Sequence, residues 1–154
     1  MKTFLLIPLV VTLFQACSSQ SAFSHFDITQ EQAKSEEIIQ SSKITQKQDI
    51  VGVVTTLYLN PIDSEKYEKY EYFYVTLYLK KNEKYVKFLL NGEEATESKL
   101  LPNKNNFSKL LHETPLWSKN YLLLFPKREG ESVLRFKIES KDASSQEMHF
   151  NRDE

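Results

Sequence analysis

Three histidines, one cysteine and eight tyrosines are the side chains from which this 154-residue chain could build a reactive or binding site. Catalysis needs a base, acid or nucleophile within hydrogen-bond reach of a partner, and metal binding needs ligands at short, repeated spacings. His25, His112 and His149 are scattered and form no H-x₃-H pair. Glu36-Glu37 and Glu93-Glu94 are adjacent acids, and adjacent residues face opposite ways on a strand and diverge on a helix, so neither pair makes a shared acid–base site. They are expected as solvated surface acids. The chain has no D-x-D-x-D-G calcium loop, no Gly-rich phosphate loop and no G-x-S-x-G elbow. The expectation is a protein that is not an enzyme, with no catalytic residue, no metal and no cofactor. A small hydrolase-like enzyme would require His112 or His149 to meet carboxylates in a cleft.

The tyrosines point elsewhere. In a run from about 69 to 80, Phe73, Val75, Leu77 and Leu79 alternate with Tyr70, Tyr72, Tyr74, Thr76 and Tyr78, so a strand there has a core face and a tyrosine face. In the preceding strand Val51, Val53, Leu57 and Leu59 are assigned to the core, which puts Tyr58 on the tyrosine side. Tyr has an apolar body and a polar tip, which suits a recognition surface for a protein strand, a peptide or a stacked glycan. Tyr58, Tyr70, Tyr72, Tyr74 and Tyr78 are therefore the candidate binding residues. The same rings would also serve as cross-strand packing, covered by the N-terminal helix together with Phe23 and Phe26. Trp117, behind Pro115-Leu116, is expected to close one end of the core; the competing reading makes it a surface anchor in the long 93–117 loop.

The elements that would hold these residues are mostly strands. From residue 48 onward the apolar period is two: 48–59, 69–80, Val86–Leu90, Tyr121–Phe125, Leu134–Ile138 and Met148–Phe150. Asn91-Gly92 predicts a type I′ hairpin turn, and Asn60-Pro61-Ile62-Asp63 and Arg128-Glu129-Gly130 are polar breaks. Glu36–Gln40 reads as the opening of a first strand. A helix is expected over 29–37, where Thr29 and Gln32 have capping-box spacing, and a short one near Phe107–His112 behind an Asn cap. The fold expected is mainly β: an antiparallel, immunoglobulin-like β-sandwich of six to seven strands with a short N-terminal helix.

Lys+Arg number 20 against 21 Asp+Glu, a balance without the basic stripe that nucleic-acid binding needs. The one cysteine excludes an internal disulfide and places its thiol at position 17. It follows a cationic Lys2 and an apolar run from Phe4 to Phe14, about 11 residues long where a membrane-spanning helix needs about 20. Phe14-Gln15-Ala16-Cys17 resembles the lipobox of bacterial lipoproteins, with Phe14 where Leu is usual and Gln15 where Ala or Ser is usual. That resemblance implies a signal peptide over 1–16, diacylglyceration of the Cys17 thiol and acylation of the new amino group. Ser18 in place of Asp implies passage to the outer membrane. Residues 17–26 then form a lipidated tether and 27–154 a single domain, one that resembles small sandwich-type lipoproteins of the envelope. The expected partners are the membrane through Cys17 and an envelope protein or glycan, with the domain acting as a binding or assembly module. A structural accessory lipoprotein without a discrete ligand site is the alternative.

Overall fold

The computed structural model describes residues 38–81, 85–111 and 115–152. Cys17, the signal and tether segments, the expected helix over 29–37, His25 and His112 lie outside the described residues. Ten strands account for most of the rest: β1 (Ile39–Gln46), β2 (Asp49–Tyr58), β3 (Tyr70–Leu79), β4 (Val86–Leu90), β5 (Glu93–Glu94), β6 (Glu97–Leu101), β7 (Lys119–Pro126), β8 (Val133–Ser140), β9 (Ser144–Ser145) and β10 (Met148–Asn151). All pairings are antiparallel, and the strands join in one hydrogen-bonded path, β5-β4-β8-β9-β1-β2-β3-β7-β6, with β10 also on β8. The molecule is thus mainly β and antiparallel, a curled sheet forming a half-barrel, whereas a sandwich calls for two sheets. Among the described residues the only helix is a single 3₁₀ turn, Asn106–Lys109.

Local chemistry sets the turns. Asn91 and Gly92 both take positive φ, 49° and 85°, as a type I′ turn demands. The Asn91 side chain then accepts from the Arg135 amide at 2.8 Å and donates to Glu131 at 2.6 Å, tying this turn to the start of β8. Asn60 does similar work in the 59–70 connection. Its amide donates to the carbonyls of Tyr67 and Tyr70 and accepts from the Tyr72 amide, all at 2.7–2.8 Å.

Curling gives the sheet an inside, which holds Val54, Tyr58, Phe73, Val75, Leu123, Phe125, Leu134, Phe136, Ile138 and Phe150. A second core lies on the outer face of β2 and β3, where Leu57, Leu59, Tyr67, Tyr74 and Leu111 meet. The phase expected for β2 is therefore corrected. Tyr58 faces the interior, 1% exposed, and stacks on Phe73 at 4.9 Å between ring centres. Leu57 and Leu59 face outward into the second core, and Val53 is exposed. The cause is that β2 is apolar on both faces, so alternation alone does not say which one the main core takes. Burial of each large ring or aliphatic side chain in these cores is worth about 1.5–3 kcal/mol relative to exposure.

Candidate functional site

The tyrosine set divides once the sheet is folded. Tyr74 is fully buried, stacked at 5.4 Å on Phe107 of the 3₁₀ turn, and its hydroxyl accepts from Asn105 at 3.3 Å. That turn sits where it does because Asn105 caps it, accepting from the Phe107 and Ser108 amides at 2.9 and 3.0 Å. Tyr70 and Tyr72 are half-buried neighbours in an edge-on contact, and Tyr72 also packs at 5.0 Å against Tyr67. Tyr78 is half-buried farther along β3, opposite Val53. Tyr58 is on the other side of the sheet. No continuous stripe of five rings results.

The other chemistry-bearing residues are equally dispersed. Glu93 pairs with Arg128, and Glu94 with Lys87 at 3.3 Å, so the adjacent acids take separate partners as strand geometry requires. His149 is exposed, with Nε2 3.4 Å from Glu147. Among the described residues no three His, Cys, Asp or Glu side chains cluster in a way that could hold a metal.

A buried carboxylate does stand out, and alternation makes it legible: Glu71 occupies the inward phase of β3 with Phe73 and Val75. It is fully buried. Tyr58 Oη donates to Glu71 Oε2 at 2.6 Å, and Arg152 Nη2 lies 2.5 Å from Oε1. Burial, then the hydrogen bond to Glu71, push the Tyr58 hydroxyl far above the usual tyrosine range. Arg152 Nη1 also donates to the Arg128 carbonyl at 2.7 Å. Oε2 is held by a hydrogen bond and Oε1 meets Arg152 as an ion pair alone, neither Oε1 nor Nη2 making a hydrogen bond, so Glu71 ties β3 to the chain following β10 by charge.

An apolar-walled cleft opens at the other end of the sheet. It has a volume of about 310 Å³ and lies where the interior of the half-barrel reaches the surface. Its wall is the continuation of the main core: Leu77 and Leu79 from β3, Val86 from β4, and Tyr121 from β7. Lys80, Lys81 and Lys119 ring it, and its described lining contains no carboxylate. Trp117 forms one side. Trp117 is 71% exposed and Leu116 78% exposed, so the tryptophan does not close the core. The reason lies in the turn that carries them. Thr76 Oγ1 donates to Asn120 at 3.1 Å, Asn120 donates to Asn103 at 3.4 Å, and Asn103 donates to the Leu116 carbonyl at 2.9 Å. The Ser118 amide closes the turn on the Pro115 carbonyl at 3.0 Å. This relay holds the 115–118 backbone to the outer side of the sheet, leaving Leu116 and Trp117 projecting.

Chemically the cleft offers an apolar floor, two aromatic rings and a cationic rim, at the small end of the size range of ligand pockets. It suits an anionic group joined to an apolar or planar one. Burial pushes the Tyr121 hydroxyl above the usual tyrosine range. Sequence reasoning missed the site because its residues come from three separate strands and a turn. The signals available were the Lys80-Lys81 pair ending β3 and Trp117 two residues before Lys119. Compared with known protein families, curated proteins and solved structures, the chain matches none.

Proposed function

We propose that the protein is a lipid-anchored component of the bacterial cell envelope, held by acyl chains on Cys17 and, with Ser18 behind it, sorted to the outer membrane. The β-domain then serves as a non-catalytic binding or assembly module for an envelope protein or glycan. The observation that carries this reading is the lysine-rimmed cleft with Trp117 held outward beside it. Tryptophan is enriched in binding hot spots, and its projection is maintained here by a relay of three hydrogen bonds and a fourth that closes the turn. Two or three acyl chains would hold such a module at the membrane almost irreversibly.

In-cell crosslinking with mass spectrometry tests the module. Wild type is compared with a Trp117→Ala/Lys80→Glu variant shown by circular dichroism to be folded. A specific neighbour crosslinked by wild type and lost in the variant is expected; identical neighbours in both overturn the reading. The anchor has its own test, since Cys17→Ala should release the protein from membranes. The second reading, an accessory lipoprotein with no discrete ligand site, draws on the burial of Tyr58 and Tyr74, which takes two of the five candidate rings out of any contact surface.

A further inference from the structure

The sheet forks at one place. β5 pairs with β4 and β6 pairs with β7, although both belong to one short segment. The changeover falls between Ala95, whose amide donates to Phe88 of β4 at 3.0 Å, and Thr96, whose amide donates to Leu124 of β7 at 2.9 Å. Consecutive amides on a strand point to opposite edges, so the segment is gripped from both sides here. Past this point β6 has no described partner on the edge turned away from β7. Val86 and Lys87 likewise have none on the edge turned away from β8.

The fork opens toward the cleft. Val86 lines the cleft, and Leu100 of β6 is paired with Tyr121, which lines it too. The Tyr121 ring reaches across to Phe88 of β4, 5.0 Å away, and so forms the floor between the two prongs. β6 is exposed at four of its five positions and contains neither proline nor glycine. Unpaired edges of this kind are templates for a further strand, and main-chain hydrogen bonds supply much of the affinity when one is added.

We infer that the fork between β4 and β6 takes up an extended, acidic segment of a partner protein as an added strand, with a carboxylate against Lys80 and Lys81 and an apolar side chain over Tyr121. This rests on the binding-module reading and names the partner's chemistry. A glycan could stack on Trp117 but would leave both strand edges unpaired, which is why a peptide is the better occupant. Lys80 and Lys81 at the rim select for acid in that peptide.

The probe is a capped peptide of about eight residues alternating valine and glutamate, a usual strand length, added to the full-length protein. Trp117 is the sole tryptophan, so its emission reports the cleft directly. The expected result is a saturable emission change with amide exchange slowed about tenfold or more across 97–101. Two N-methylated versions, blocking alternate amides in either register, separate main-chain pairing from charge. At least one should bind about tenfold or more weakly, as should the parent peptide to Lys80→Glu/Lys81→Glu. Binding of both N-methylated peptides as tight as that of the parent, unchanged exchange at 97–101, no binding of the parent, or an emission response only to an oligogalacturonate would each overturn the inference. The module reading fails separately, through the crosslinking comparison, so the two failures are distinguishable.

Discussion

At Glu71 a single inward-facing carboxylate decides how the end of the chain is held. Taking a charged pair out of water is costly, and its geometry must recover that cost; removing one partner leaves the other charge stranded. Arg152→Ala should therefore destabilise by about 3–5 kcal/mol in urea unfolding, while the double change Glu71→Leu/Arg152→Met should recover most of that loss. If Arg152→Ala costs nothing, the pair is not a clasp. Tyr58 shares the cluster and gives it a pH signature. Its folded-state pKa is raised above the unfolded value of about 10, so the unfolded chain releases this proton first. The stability it contributes is complete below about pH 10 and is lost as pH rises from there through the folded-state pKa, by up to about 1.4 kcal/mol per pH unit. Tyr121 is shifted the same way and adds to the decline. In denaturation curves at pH 10–11.5, Tyr58→Phe should show a shallower fall than wild type; an identical slope would place the hydroxyl outside the linkage.

Strands marked by clean alternation or by a short apolar run were legible at the element scale; a strand exposed on both faces was not, and in a strand apolar on both faces the phase was not. β3, β4, β7, β8 and β10 fall within a few residues of where their periods put them. The phase of β2 was ambiguous because Leu57 and Leu59 serve the second core. β6, with Glu97, Ser98, Lys99 and Leu100 all exposed, has no apolar alternation to read. The β1–β2 hairpin turns through Lys47-Gln48, with Lys47 at φ 55°, and carries no Gly or Asn to announce it. The candidate site was less legible still, since its geometry depends on pairings between residues as distant as Leu77 and Lys119. Another element-scale device is the seam between β1 and β10. There the Gln40 side chain acts as a surrogate peptide group, donating to the His149 carbonyl and accepting from its amide at 3.0 Å. Gln40→Ala should cost about 0.5–1.5 kcal/mol, since water reaches the groups it leaves, and should speed exchange of the His149 amide. Unchanged exchange would show that the seam closes without it.

Across the whole molecule, the cleft and the start of β1 sit at opposite ends. β1 starts beside Leu57 and runs eight residues, about 26 Å, toward the end bearing the cleft. A lipid anchor preceding β1 thus joins the domain at the end away from Trp117. The outer core lies along the flank between these ends, and among the described residues it is covered by the 59–70 connection, through Ile62 and Tyr67, and by the 102–111 loop, through Phe107, Leu110 and Leu111. Phe107→Ala should remove the ring that covers Tyr74, at about 1–3 kcal/mol for a half-buried ring. In tyrosine nitration Tyr70 and Tyr72 should react in wild type, with Tyr74 joining them only in Phe107→Ala. A Tyr74 that reacts in wild type would mean the cover opens readily. The changeover at Ala95-Thr96 bears on the whole curled sheet, because both ends of the strand path hang on consecutive amides. It works as a buckle: one proteolytic nick there would separate β5 from β6, loosen the curl, and give a molecule with two sticky margins prone to aggregate through them.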